Sequence, residues 1–379
     1  MTRAFTSAVA GPAERGHEFG ALHAREVAAT VSAYRRLFAS LDFADVDLDA
    51  VGTLALRSID GWASEIGEEI RGIASGSGLP VEHVAAVNAR TEIIAMLRGD
   101  GAGSPRGVRR RPASPGGRPV TECSAVVALP PSGGPAVAAQ NWDWYTDFAD
   151  NWLEWTIPHP DGRRVCTLTE YGIVGKIGVN DAGLGLLFTM LHHRADGDGI
   201  GVPVHVVARR VLDQARDVGD GRAICASAVT SASTSITMVA AGEAVSAELW
   251  PGGPSYAMPD ADGLLVRTNH FLTDPAREGD DVPAESPTTL VRYDTLRRLL
   301  SPARPADITA DDVVAALCDH SGGVCSHPLA EDPADLRHGT LATVVLDLAG
   351  GTLSTRTGPP CRLSVLPVLQ GHPSGTYPL

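Results

Sequence analysis

The sequence predicts an α+β layered sandwich, and three observations carry that reading. Short β-rich runs such as SAVVALP, VCTLTEY and LATVVLDLAGG, bounded by Gly, Asn and Asp turns, dominate from residue 124 onward. Helical spacing interrupts them at 203–216, 288–300 and 309–318. The chain ahead of residue 99 reads as helical. Hairpins mixed with intervening helices point away from an alternating βαβ sheet.

In chain order, Phe19, Leu22, Val27, Val31, Tyr34 and Leu37 recur at near-helical spacing and predict one helix over 12–38. Trp62, Ile66, Ile70 and Ile73 share a second helical face, with Gly76 and Gly78 as its stop and Pro80 opening the next helix. That helix, PVEHVAAVNARTEIIAML, holds a polar knot of Asn88, Arg90 and Glu92. It reads either as a solvated face with an ion pair or as groups that assist chemistry or brace the segment. Residues 99–120, rich in Gly, Pro and Arg, predict an exposed linker and a natural break. The sequence shows neither an internal repeat nor a Gly-rich phosphate loop.

Composition narrows the function. The 379 residues, 44% hydrophobic, suffice for one large core or two modest ones. A net charge of −14 opposes a nucleic-acid partner. The first residues lack the apolar core of a signal peptide, and no apolar window reaches about 18 residues, so a cytoplasmic protein without membrane association is expected. Six dilute cysteines fit a reducing compartment. Lys176 is the lone lysine among arginines, which reads as codon bias.

Cys123 follows the linker directly. If the hairpin turns about Gly133, opposite residues have numbers summing to about 266, which sets Asp143 against Cys123; a one-residue slip separates them. If the Glu122–Cys123 bond were cut, Cys123 would carry both a thiol, with an ordinary pKa of about 8.5, and an α-amine near about 8. One residue would then supply nucleophile and base, and the linker would let the released end withdraw. The alternative reading is a small buried hydrophobe at a strand start.

Further segments fall in a familiar order: ERGHEFGALHA, VNARTEI (87–93), the Cys123 strand with QNWDW (140–144), GKIGVNDAGLGLLFTML (175–191), RTNHF (267–271), DHSGGVCSHP (319–328) and LATVVLDLAGGTLSTRTGPPC (341–361). Together they resemble the acyl-coenzyme A:6-aminopenicillanic acid acyltransferase family of self-processing N-terminal-nucleophile (Ntn) hydrolases. The resemblance implies a four-layer αββα sandwich and cleavage ahead of the nucleophilic cysteine. It implies Cys123 as nucleophile, Asp143 as the carboxylate that holds the new α-amine, and Asn269 as the oxyanion-hole amide. Asn141 and His270 stand beside these as supporting candidates, with Arg90 and Glu92. The family commonly has Gly before the cysteine and Thr after it, where this chain has Glu122 and Ser124. Where related hydrolases carry an arginine ahead of N-x-D, this chain has Gln140.

Other constellations compete. Cys318, His320, Cys325 and His327 offer zinc ligands, but their spacing departs from the usual forms, so no metal is expected. His192, His193, Asp196 and Asp198 read as a polar hairpin end more readily than as a metal loop, with the pocket mouth nearby. Trp144 and Tyr145 are the expected apolar wall for an acyl group, with His192 as a further pocket candidate. Cys166, Cys225 and Cys361 read as buried structural thiols.

The expectation is a cofactor-free amidase or acyltransferase acting on a small N-acyl or aminoacyl amide or other acyl donor through an acyl-Cys123 thioester. Its pieces, 1–122 and 123–379, would form one globular α/β heterodimer, with higher association open. The second expectation is an unprocessed, non-catalytic ligand-binding protein.

Overall fold

The computed structural model describes residues 3–41, 46–98, 122–130, 133–301 and 308–362. The linker expected at 99–120 lies outside the described residues. Two sheets face each other. The larger orders its strands Ala4–Thr6, Trp152–Pro158, Arg164–Glu170, Ile177–Asn180, Gly185–Met190, Thr234–Ala240, Glu243–Leu249 and Ser255–Ala257. The smaller orders Leu264–Arg267, Glu122–Ala128, Val137–Tyr145, His338–Asp347 and Thr352–Thr357. Helices Val204–Gln214 and Val218–Ser227 cover the outer face of the first, and Thr288–Leu300 and Ala310–Leu317 that of the second. The result is the expected αββα sandwich.

The Cys123 strand shows why four layers form. Its side chains alternate, so Cys123, Ala125 and Val127 enter the core between the sheets. Val126 and Ala128 enter a second core with Leu296, Leu300, Val313 and Leu317 of the outer helices. A strand buried on both faces needs a near-continuous apolar run, which AVVA at 125–128 supplies, while the buried Ser124 is satisfied by Arg292.

The N-terminal helices differ from the sequence expectation in their breaks. The helix expected over 12–38 splits into Pro12–Leu22 and Ala24–Ser40 at His23, whose backbone (φ −115°, ψ 28°) leaves the helical region. The His23 ring packs instead against Phe5, Phe19 and Tyr171. Trp62 ends a helix the sequence reading missed, Leu48–Trp62, while Ile66, Ile70 and Ile73 line the separate helix Ser64–Ser77. Gly78, at φ 72°, stops that helix in the left-handed region, where glycine is unstrained. The helix expected from Pro80 breaks at Ala89, and Asn88 there is buried, donating to the carbonyls of Val84 and Gly172 and accepting from the Val174 N–H. The polar knot is therefore no solvated face.

Gly76 stays inside its helix for another reason. Gly16 and Gly20 on Pro12–Leu22 meet Gly72 and Gly76 on Ser64–Ser77, and a Cβ at any of the four would run into backbone of the facing helix. Gly72→Ala is expected to lower stability by about 1–3 kcal/mol, because the overpacking outweighs the gain in helix propensity. An unchanged or raised urea midpoint would contradict this close crossing. The same helix pair places Glu69 between two buried arginines, accepting from Arg15 Nε at 2.8 Å and from Arg209 Nη1 at 2.6 Å. Arg209 lies on Val204–Gln214, so this carboxylate ties the N-terminal helices to the layer over the larger sheet.

Candidate active site

Cys123 lies opposite Trp142 in the β-ladder, and Asp143 lies opposite Glu122. The expected pairing of Asp143 with Cys123 is therefore off by one residue. The cause is the connection: the last ladder pair is Ala128 with Val137, so an eight-residue loop joins the strands where a tight turn about Gly133 was assumed. What reaches the thiol is the Asp143 backbone, whose carbonyl accepts from Cys123 Sγ at 3.8 Å. Burial and the Asp143 charge push the Cys123 thiol up to about 11.

The backbone of Cys123 is clamped on both sides. Its N–H donates to Asn269 Oδ1 at 2.9 Å, and its carbonyl accepts from Arg292 Nη1 at 2.6 Å. Arg292 also donates to Asn269 Oδ1 at 2.9 Å and to Ser124 Oγ at 3.1 Å. Since both neighbours of that oxygen can only donate, the Asn269 amide orientation is determined, and its Nδ2 donates to the Met190 carbonyl at 3.0 Å. Asn269 reaches Cys123 because strand Leu264–Arg267 pairs with the Cys123 strand, with Arg267 opposite Ala125. His270 Nδ1 sits 3.0 Å from Thr268 Oγ1 and 3.1 Å from Thr289 Oγ1. Burial and the Arg267 charge press the His270 pKa to about 4, so the ring is neutral.

A cleft of about 10 Å³, room for about one water, is lined by Arg90, Cys123, Trp142, Asp143, Trp144, Lys176, Phe188 and Met190. Lys176 Nζ stands 3.5 Å from the centre of the Trp142 ring and 3.2 Å from Glu170 Oε2. Arg90 lies over the Trp144 ring at 4.6 Å and donates to the same Glu170 oxygen at 3.1 Å, while the Tyr34 hydroxyl donates to the other. Burial alone would raise the Glu170 pKa, but Arg90 and Lys176 outweigh it and hold the carboxyl at about 2. One carboxylate faces two cations, and arginine keeps its proton. Lys176 gives way: burial, opposed by Glu170 and reinforced by Arg90, lowers it to about 7.

The remaining candidates have other tasks. Asn141 donates to the carbonyls of Leu317 (2.9 Å) and Val324 (3.1 Å) and accepts from Thr343 Oγ1, bracing the loop after Ala310–Leu317. Glu92 accepts from Val204 N–H at 2.8 Å, the first residue of a helix, and burial raises its pKa to about 7. Tyr145 and His192 are off the cleft wall, His192 Nε2 lying 3.0 Å from Arg98 Nη1. Asp196 accepts from the His193 N–H at 2.9 Å, as a polar turn does. Of the four residues weighed as zinc ligands, Cys318 is not in the cluster the fold assembles; Cys361 takes its place beside His320, Cys325 and His327. Cys225 is buried as expected, whereas Cys166 and Cys361 are only half-buried.

The sequence profile described as acyl-coenzyme A:6-aminopenicillanic acid acyl-transferase matches residues 131–361. The chain belongs to that family. This acyltransferase-family chain is 28% identical, over 294 residues, to the 40 kDa form of acyl-coenzyme A:6-aminopenicillanic-acid-acyltransferase of Emericella nidulans, covering 77% of the one and 75% of the other. Among solved structures it is similar to the Caenorhabditis elegans ortholog of N-acylethanolamine-hydrolyzing acid amidase (14% identity, TM-score 0.43, 60% of this chain and 93% of that one). Penicillin V acylase from Agrobacterium tumefaciens compares similarly (14% identity, TM-score 0.44, 62% of this chain and 83% of that one). Within the family match lie Asp143, Lys176, Asn269 and Arg292, while Cys123 precedes it.

Sequence reasoning passed over four residues that line or support the candidate cleft of this family chain. Lys176 was read as composition, though a sole lysine in an arginine-rich chain was a usable signal. Arg292, in a helix bearing several arginines, resembles a solvated charge but is fully buried. Glu170 ends the internal strand Arg164–Glu170, where it is fully buried. Gln140 crosses between the sheets, donating to the Phe188 carbonyl at 2.5 Å and accepting from the Phe188 N–H at 2.9 Å.

Proposed function

We propose that the chain is a self-processing amide hydrolase or acyltransferase in which Cys123 becomes the N-terminal nucleophile. The observation that carries this reading is the double clamp on Cys123: Asn269 and Arg292 fix the one nitrogen and carbonyl that self-cleavage would convert into an α-amine and its neighbour. In processing, Cys123 Sγ attacks the Glu122 carbonyl carbon, a C–S bond forms, the C–N bond breaks, and the nitrogen takes up a proton. Water then hydrolyses the thioester, leaving a Glu122 carboxylate and a free thiol. A buried thiol near 11 needs a proton acceptor, and before the cut no α-amine exists. Lys176, on the same cleft and able to be neutral near pH 7, is suited to that step.

After the cut, the α-amine takes the thiol proton and the thiolate attacks a small N-acyl or aminoacyl amide, or another acyl donor. The leaving amine is protonated and an acyl-Cys123 thioester remains, for water or an acceptor amine. The Asn269 amide Nδ2, bonded to the Met190 carbonyl in the uncut chain, would turn to the tetrahedral oxygen, where a donor contributes about 3–4 kcal/mol. Arg90 and Trp144 form the wall nearest the acyl group.

The test is acid quenching of purified protein with short-chain acyl thioesters, followed by mass spectrometry. An acyl adduct on the fragment that begins at Cys123 is expected. Turnover with the adduct on another residue would sink the proposal.

A further inference from the structure

We infer that His320, Cys325, His327 and Cys361 form a structural zinc site on the outer side of the smaller sheet, remote in role from the acyl chemistry. Their ligand atoms all lie within 4.8 Å of one another. His327 Nε2 is 3.2 Å from His320 Nε2, 3.5 Å from Cys325 Sγ and 3.3 Å from Cys361 Sγ. A tetrahedral zinc with bonds of about 2.0–2.1 Å to nitrogen and about 2.3 Å to sulfur has edges of about 3.3 Å between nitrogens and about 3.5 Å between nitrogen and sulfur. Three separations therefore already match the edges of one coordination tetrahedron. Two thiolates and two imidazoles are the soft, mixed set that selects zinc over calcium or magnesium.

The four residues come from two places that no local motif connects. Three lie on the loop after helix Ala310–Leu317, and Cys361 lies in the turn Pro360–Arg362 beyond strand Thr352–Thr357. A shared ion would tie that loop to the edge of the sheet. The loop also presents the Val324 carbonyl to Asn141, two residues from Asp143, so the metal would brace the strand that supports the cleft. Binding releases the two thiol protons, leaving a neutral Zn(Cys)₂(His)₂ centre.

The full chain, stripped by chelator under reducing conditions, is titrated with cobalt(II) and then with zinc. One cobalt per chain is expected, with a thiolate-to-cobalt charge-transfer band and the visible bands of tetrahedral cobalt, both removed by zinc. His320 is exposed, so His320→Ala tests the site without disturbing the core. It should weaken zinc binding by at least about 100-fold, since losing a ligand exceeds the ~10–100-fold effect of an outer-shell partner. Cys166→Ser, outside the cluster, should leave the cobalt spectrum unchanged. A wild-type chain with no saturable cobalt band, or one in which freshly prepared Cys325 and Cys361 are joined by a disulfide, overturns the inference.

Discussion

Cys123→Ala is expected to yield one intact chain where the wild type yields two fragments parted between residues 122 and 123. The variant loses the sulfur proposed to attack the Glu122 carbonyl while keeping the backbone clamp of Asn269 and Arg292. Because alanine removes one buried sulfur from a site with little free volume, the fold should survive, and loss of cleavage then reports chemistry. Acyl transfer and hydrolysis should fall together by at least about 10³-fold, as for other enzymes deprived of their nucleophile. Intact-mass spectrometry reads the first effect and thioester turnover the second. A wild type that stays uncut on prolonged incubation would remove the N-terminal nucleophile from consideration.

Glu170→Gln should destabilise the protein by about 3–5 kcal/mol, because it leaves Arg90 and Lys176 buried without their counter-charge. The readout is a lower urea midpoint at unchanged slope. The pH dependence follows from the two shifts. Glu170, held near 2 in the fold against about 4.3 unfolded, contributes above about pH 4 and loses its contribution as pH falls through 2. Lys176 is near 7 in the fold against about 10.4 unfolded. Between those values the unfolded chain holds the extra proton, so stability should rise with pH. An acid limb in the glutamine variant matching that of the wild type would show that Glu170 is not the anchoring charge.

The architecture was legible in the sequence because layer type follows from local patterns. The apolar run in SAVVAL, the helical runs at 288–300 and 309–318, and turn glycines each report their own neighbourhood. The helix breaks at His23 and Ala89 were not, since a ring or a carbonyl on another element decides them. Register was missed for a related reason: loop length, not the glycine within it, decides which residue faces Cys123. At the candidate site, Cys123 stood out because a cysteine follows the linker directly, and Asn269 was named through the family resemblance; the structure brings the two within hydrogen-bond reach. Arg292 and Lys176 were passed over, because burial of a charge is a tertiary fact. Cys361 illustrates the limit most plainly, lying 34 residues from the histidine it meets.

The N-terminal helices have a consequence for how this molecule could be remade. Residues ahead of Cys123 supply Ala4–Thr6 to the larger sheet, Arg15 and Glu69 to a buried charge cluster, and Arg90 to the cleft. Folding of the uncut chain is a first-order event with those groups tethered. A cut between 122 and 123 would make the reverse journey second-order, dependent on two pieces meeting, so that both recovery after unfolding and the stability of the paired state would fall on dilution. The cut form would then persist through the height of its unfolding barrier, and a heated, cooled sample would recover activity only in proportion to how concentrated its halves remain.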